Sequence, residues 1–281
     1  MYCNLLCMKM FTLCFSLLLT ISSSAFAFHI PEHNMITRRA IDGLQRCNLL
    51  PASWDMGWSR AIQDGNKNED TNLIRKWSKY SHFYNPTKKL KLGRADSMLT
   101  VRESEHSLHD QEEEASEADA LALVGRIVHH LQDAAVPAHV VPVNHFSDDG
   151  FEKFEIASYY QAPTSLSDCA RLRAEEPSAL LKNTALTTLS RIEGLVGYKT
   201  YKRVKQARWS QLFWLSARGE GFGEYGPLGN NFGKNVFELE DGRTARVELS
   251  QYREFKQAQL DLAVLATQSA ILWATSQILD H

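Results

Sequence analysis

The stretch 125–139 (GRIVHHLQDAAVPAH) constrains the fold of this chain more than any other segment. It continues an apolar run rich in alanine and leucine, which predicts a buried helix. His129 and Asp133 are four residues apart, so they lie on one face of that helix. Pro137 ends the helix and His139 follows it. Two imidazoles and a carboxylate held in this way indicate a metal site. The alternative, for an isolated pair of this spacing, is a half-buried histidine and a solvated aspartate.

The N-terminal segment predicts export. Residues 11–21 (FTLCFSLLLTI) form an apolar run that a lysine precedes and SSSAFA follows, with Ala25 and Ala27 at the small positions of a cleavage site. The run is too short for a comfortable transmembrane helix. We therefore expect a signal peptide over residues 1–27, a mature chain that starts at Phe28, and a periplasmic or secreted location.

Charge and cysteine content set further bounds. The net charge of -2 gives no basic footprint of the kind that indicates bulk nucleic-acid binding. Removal of the signal peptide leaves two cysteines, Cys47 and Cys169. In an exported protein these could form one disulfide, or they could be two buried thiols, since sequence does not give their separation.

The mature chain, residues 28–281, is predicted to be a mainly α, single-domain multi-helix bundle with one small β-hairpin. We expect it to be a monomer without a transmembrane segment. Apolar periodicity predicts helices at about 33–46, 116–136, 151–161, 175–193 and 250–279. Alternation about Asp241-Gly242 predicts a hairpin over 235–249. The other predictions are a helix or loop at 53–64, a polar turn at 65–70, a solvated or mobile segment at 87–116 and an irregular surface segment at 198–233.

Further candidate ligands lie on both sides of the central stretch. His33 comes five residues after the predicted new N-terminus, where the α-amino group and carbonyl oxygen of Phe28 could chelate a metal. Asp70 ends the polar segment GNKNED, and His82 lies in SHFYNP beside aromatic residues. Downstream, the chain offers His145, followed by Glu152 and Glu155. A multinuclear metal site needs ligands of this kind from several elements.

In this pattern the chain resembles the zinc-dependent phospholipase C family, which includes the catalytic domain of alpha-toxin. That family is related to the fungal zinc-dependent single-strand nucleases. Four blocks carry the resemblance over about residues 28–160, roughly half of the mature chain. They are Phe28 with His33, Asp70 with His82-Phe83-Tyr84, the block of His129, Asp133 and His139, and a trailing histidine and acid.

The resemblance implies the fold type and a trinuclear zinc site. His82, His129 and Asp133 would hold one zinc ion. Asp133 would bridge to a second, which the Phe28 amine and carbonyl and His33 also bind. His139 with a later histidine and acid would hold the third. Asp70 would orient or deprotonate the attacking water.

The third zinc is where the chain departs from the family pattern. In GFEKFE, Phe151 stands where the family has a histidine, so His145 is the substitute. We expect Glu152 to be the acid, with Glu155 and Asp149 as alternatives and loss of the third metal as another. His130 points about 100° away from its neighbour His129 on a helix, so we expect it to be a packing or supporting residue.

The predicted function is that of a secreted zinc-dependent phospholipase C. It would hydrolyse the glycerol-side phosphodiester bond of phospholipids at a membrane surface. The alternative is a zinc-dependent single-strand nuclease or nucleotidase with the same site, and a third hypothesis is a non-catalytic protein that keeps zinc for structure. The basic segment 199–208 (KTYKRVKQAR) suits a nucleic-acid groove, an anionic membrane or simply a solvated loop.

Overall fold

The computed structural model describes residues 30–72, 82–89, 96–109, 116–145, 149–156, 169–201 and 203–279. The predicted signal peptide and Phe28 lie outside the described residues. The helices are α1 (Ile30–Arg46), α2 (Met56–Thr71), α3 (Ser97–His109), α4 (Glu117–Asp133), α5 (Pro137–Val140), α6 (Pro177–Ile192), α7 (Trp209–Leu212) and α8 (Leu249–Leu279). The strands are β1 (Leu195–Thr200), β2 (Arg203–Arg208), β3 (Trp214–Leu215), β4 (Glu224–Tyr225), β5 (Phe237–Glu238) and β6 (Thr244–Val247). The chain is therefore mainly helical, as predicted.

The predicted central helix is confirmed as α4, and the core forms around it. The side chain of Ser116 caps its first turn by accepting a hydrogen bond from the Asp119 backbone N–H. Every residue from Ile127 to Asp133 is buried. The long helix α8 packs against α1, α4 and α6, while α2 and α3 cover other faces of α4. A helix enclosed on all sides can carry polar groups only where other elements bring partners to them.

Helices α2 and α4 cross with their backbones in direct contact. A Cβ atom added to Gly125 would lie 2.3 Å from the carbonyl oxygen of Ile62, and one added to Gly65 would lie 2.3 Å from the carbonyl oxygen of Ala122. Only residues without a side chain fit at this crossing. The crossing brings the C-terminal turn of α2, which carries Glu69 and Asp70, against the histidines of α4.

The prediction of a polar turn at residues 65–70 is wrong. The helix begins after Asp55, whose side chain accepts a hydrogen bond from the Trp58 backbone N–H, and it continues to Thr71. Hydrophilic composition suggested a turn, but Glu69 and Asp70 are buried against α4.

Of the solvated face or mobile loop predicted at 87–116, residues 97–109 form the solvated face of a helix, α3, and not a loop. This helix is amphipathic, with Val101 and Leu108 buried two turns apart and charged side chains toward solvent. By contrast, residues 151–156 form turns and not the predicted helix, and the remainder of 151–161 lies outside the described residues. The Asp149 carboxylate accepts a hydrogen bond from the Phe151 backbone N–H at 2.6 Å, which fixes this turn.

Four strands form an antiparallel sheet in the order β2-β1-β6-β5. The hairpin predicted about Asp241-Gly242 is confirmed as β5–β6, in which Phe237 pairs with Ala245. The irregular segment predicted at 198–233 is wrong over its first part, since β1 and β2 form a second hairpin there. Below the sheet lies a cluster of packed aromatic rings: Phe151, Trp209, Phe213, Trp214, Phe232, Tyr252 and Phe255.

Two features bear on the predicted export and on the membrane. Cys47 and Cys169 form a disulfide, which joins the end of α1 to the segment before α6. By length and hydropathy, α8 is apolar enough to cross a membrane, but 61 % of its apolar window is buried inside the protein. Burial in the core accounts for the apolar character of α8.

Candidate metal centre

Three groups of buried or half-buried histidines and carboxylates converge around the C-terminal half of α4. Each group offers three ligand atoms within 4.8 Å of one another. We call them the first group (His33, Asp70, His129), the second group (His82, His130, Asp133) and the third group (His139, His145, Glu152). Each could hold a metal ion. Every predicted site residue among the described residues belongs to one of them; Phe28 lies outside the described residues.

Asp133 joins the three groups. Its Oδ1 lies 3.5 Å from His33 Nε2. Its Oδ2 lies 2.8 Å from His82 Nδ1, 3.4 Å from His129 Nε2 and 3.8 Å from His139 Nδ1. One fully buried carboxylate therefore faces histidines from every group, which is the position that a bridging ligand needs.

The third group is held by the turn after α4. Val136 is extended and Pro137 opens the short helix α5, which directs His139 toward the site. The His139 Nδ1 lies 2.5 Å from the His82 carbonyl oxygen, and the His145 Nδ1 lies 2.6 Å from that of Val143. With both Nδ1 atoms donating to carbonyl oxygens, the Nε2 atoms are left with lone pairs, as in metal-binding histidines.

These Nε2 atoms meet the Glu152 carboxylate. Glu152 Oε1 lies 3.3 Å from His145 Nε2 and 3.6 Å from His139 Nε2. Three electron-rich atoms in a buried space repel one another unless a cation or a proton lies among them. This donor set therefore fits a divalent metal.

The structure distinguishes the three acids considered for this group. Glu155 is exposed and belongs to none of the groups. Asp149 is buried, but it accepts hydrogen bonds from Tyr225 Oη at 2.7 Å and Trp214 Nε1 at 3.4 Å. Only Glu152 is brought to His139 and His145. Phe151 is fully buried in the aromatic cluster.

A buried amide network positions the first group. Gln132 Oε1 lies 2.6 Å from His33 Nδ1, and Asn66 Oδ1 lies 3.1 Å from His129 Nδ1. Asn66 also donates to Gln132 Oε1 at 3.1 Å. These contacts turn the two Nε2 atoms toward the carboxylates, and Asp70 Oδ1 lies 3.7 Å from His129 Nε2. Asn66 and Gln132 were not among the residues predicted from sequence, because their burial depends on the packing of separate helices.

His130 is the residue whose position differs most from expectation. Its ring is fully buried and belongs to the second group with His82 and Asp133. Its Nε2 lies 3.7 Å from Glu69 Oε2, beyond hydrogen-bond distance, and neither ring nitrogen has a hydrogen bond among the described residues. The 100° rotation from His129 does not remove it from the site, because His82 and Asp133 each offer a ligand atom within 4.8 Å of one of its ring nitrogens.

Burial sets the protonation of the centre. It lowers the pKa of His33 to about 3 and lowers those of His129 and His139 well below the ordinary value. Burial also raises the pKa of Asp133 well above its ordinary value. Without a cation, burial therefore favours neutral imidazoles at His33, His129 and His139 and a protonated carboxyl at Asp133. His145 differs, because desolvation opposes its charge but the neighbouring Glu152 carboxylate raises its pKa to about 9. Neutral imidazoles are the form that binds metal, and a divalent cation would keep Asp133 ionised.

Comparison of the chain with protein-family models found no match, and no curated protein matched it. The function of the protein must therefore be inferred from the chemistry of the centre.

Proposed function

We propose that this chain is a zinc-dependent phospholipase C with a fold of the phospholipase C and zinc-nuclease type. It would release diacylglycerol and a phosphorylated head group from phospholipids. The observation that carries the proposal is the position of the single Asp133 carboxylate, whose oxygens lie 3.5 Å from His33 of the first group and 2.8 Å from His82 of the second. A shared carboxylate between adjacent ions is typical of multinuclear sites that hydrolyse phosphodiesters.

The ligand types support zinc. Six of the nine side chains in the groups are histidines and three are carboxylates. Nitrogen and oxygen donors of this kind suit zinc, whereas magnesium and calcium prefer oxygen alone. The disulfide between Cys47 and Cys169 is also what we expect of an exported protein.

The residues of the centre have distinct roles in this proposal. The histidines of the three groups, with Asp133 and Glu152, would hold the ions. Bound zinc supplies positive charge to phosphate oxygens and lowers the pKa of water toward neutrality. Asp70 would orient the attacking water and accept its proton. In-line attack on phosphorus would then expel the diacylglycerol oxygen.

The test is metal analysis of the mature protein followed by parallel assays on phosphatidylcholine and single-stranded nucleic acid. We expect zinc in each group and turnover of the lipid. Absence of zinc would contradict the proposal, and cleavage of nucleic acid without lipid turnover would favour the nuclease alternative.

A matched pair of variants tests the third group. Glu152→Gln should lower the zinc content by one ion per chain and reduce turnover at least tenfold, because the ligand charge at that group is lost. Glu155→Gln is the control, since Glu155 is exposed three residues away. Equal zinc content in the two variants would show that Glu152 is not a ligand.

A further inference from the structure

A second site of a different kind lies at the open end of the four-stranded sheet. A cleft of about 880 Å3 is found there. Its lining includes five cationic side chains and one aromatic side chain, namely Lys199, Arg203, Lys205, Arg243, Arg246 and Tyr201. We call these six residues the basic sheet end. No carboxylate of the described residues lines the cleft, and none of its residues belongs to the metal groups.

Most of this positive charge is available to a ligand. Lys199 pairs with Glu248 at 2.8 Å and Arg243 pairs with Asp241, but both pairs are about half exposed. Exposed ion pairs contribute little free energy, so an external anion can replace the carboxylate. Among the described residues, no ion pair is formed by the other three cations, which are Arg203, Lys205 and Arg246.

The same end of the sheet exposes apolar side chains. Tyr201 is 92 % exposed, Val204 is 72 % exposed and Val236 is 52 % exposed. Of the ten large apolar side chains exposed among the described residues, four lie on or beside this sheet, counting Leu195. Such clustering marks a contact surface, whereas single exposed apolar residues are ordinary.

The strand register places charge and apolar groups on one face. Lys199 is directly opposite Val204 on one side and Arg246 on the other. Directly paired residues project from the same face of a sheet. Val204, Lys199 and Arg246 thus form one row on one face, and the exposed Tyr201 follows at the turn. Arg203 and Lys205 pair with Thr200 and Tyr198 and project from the other face, so the cleft at the end of the sheet is lined from both faces.

We propose that the basic sheet end docks on the surface of an anionic phospholipid bilayer. Cations near such a surface are attracted by its negative potential, while tyrosine and aliphatic side chains enter the interfacial region. A groove for single-stranded nucleic acid would instead present several aromatic rings for base stacking. Among the residues that the structure describes, Tyr201 is the one aromatic residue lining this cleft, so the composition favours lipid. The inference goes beyond the proposed function, because docking needs no catalysis.

Sedimentation with vesicles tests the proposal. The mature protein should bind vesicles of phosphatidylcholine with phosphatidylserine more tightly than vesicles of phosphatidylcholine alone, and added salt should reduce the difference. The variant Arg203→Ala/Lys205→Ala/Arg246→Ala should bind the anionic vesicles about 100-fold more weakly, since each cation near the surface contributes roughly a factor of five.

The control variant Arg60→Ala/Arg171→Ala/Lys182→Ala changes the net charge by the same amount at exposed positions on other elements. It should keep most of the binding. Equal loss in the two variants would overturn the proposal, because net charge alone would then explain the attraction.

Three further measurements separate the alternatives. Tyr201→Ser/Val204→Ser should weaken binding at high salt, where the apolar contribution remains; unchanged binding there would contradict an interfacial role. Binding of a single-stranded oligonucleotide through the three cations, without vesicle binding, would replace lipid by nucleic acid as the partner. Hydrolysis of monomeric short-chain phosphatidylcholine should be unchanged in the triple cation variant. If the wild-type protein does not hydrolyse this lipid, the proposed function is contradicted. The docking proposal is still tested in that case, because vesicle sedimentation measures binding and not hydrolysis.

Discussion

The crossing of α2 and α4 makes Gly125→Ala the most informative single substitution. The added Cβ would lie 2.3 Å from the Ile62 carbonyl oxygen, 2.6 Å from the Asn66 nitrogen and 2.7 Å from the Gly65 Cα. All three are backbone atoms, so no side chain can rotate away. An ordinary contact begins at 3.4 Å, so the helices must separate by about 1 Å in a core that is packed without slack.

Two opposing energies decide the stability of this variant. Overpacking in a core costs about 1–3 kcal/mol and can cost more against backbone. Replacing glycine by alanine within a helix raises the free energy of unfolding by about 1 kcal/mol. We expect Gly125→Ala to lower the free energy of unfolding by about 2 kcal/mol, measured by urea denaturation of the metal-free protein.

The same displacement should weaken metal binding. Asn66 holds the His129 Nδ1 at 3.1 Å, so a shift of about 1 Å breaks this hydrogen bond. Loss of such a supporting contact lowers metal affinity by about 10–100-fold. Competition with a chromogenic chelator measures this change.

Gly43→Ala is the matched control. Its Cβ would meet Gln268 Nε2 at 2.3 Å, but that atom is the far end of a flexible side chain. The stability of this variant should stay within about 0.5 kcal/mol of the wild type, with unchanged metal affinity. If the two variants behave alike in both assays, the close crossing does not position the centre.

Two other substitutions test how the centre is tied to the rest of the fold. Lys256 is fully buried, with its Nζ 3.1 Å from Glu32 and 2.9 Å from the Phe151 carbonyl oxygen. Lys256→Met should therefore cost about 3 kcal/mol in urea unfolding, and adding Glu32→Gln should recover part of that loss; a neutral effect would mean that the ion pair is not buried in solution. Cys47→Ser opens a disulfide that closes a sequence separation of 122 residues. This change should lower the free energy of unfolding by up to about 5 kcal/mol, and thermal unfolding under oxidising conditions would show no shift if the cysteines were unpaired.

Sequence predicts well those helices and strands whose own pattern of side chains shows where they begin, where they end and which face is buried. The apolar periodicity of α4 and α8 is strong, and it locates both helices within a few residues. The Asp241-Gly242 turn, with Gly242 at φ 75°, likewise determines its hairpin locally.

Residues 65–70 show why the rest is harder to predict. Their polar side chains would suit a solvated turn, and nothing within the segment shows that α4 lies against it. Gly65 permits the close crossing, and Asn66 is then satisfied by Thr37 and Gln132 from two other helices. Burial of this segment is a property of three elements together, so a local pattern cannot reveal it.

The residues of the candidate site also divide into those that local sequence brings together and those that tertiary packing brings together. The spacing of His129, Asp133 and His139 is enough to bring these residues together, because one helix and the turn after it carry all three. The choice among Asp149, Glu152 and Glu155 depends on how the turn at 149–156 folds back, which sequence does not determine.

The placement of the centre on the buried C-terminal half of α4 explains why His130 joins it. On a surface helix, a residue 100° from the metal-binding face would point to solvent or to an apolar neighbour. Here α2 brings Glu69 to that side. His129 therefore faces Asp70 and His130 faces Glu69, and these are consecutive residues of α2. Such an arrangement buries several acceptors and carboxylates, whose ionised or unpaired forms are unfavourable in a core. A bound cation would let the carboxylates that converge on the centre stay ionised, whereas without one burial favours their protonated forms. Metal binding and packing of the core should therefore be coupled, and the α2–α4 crossing is where that coupling can be broken without touching a ligand.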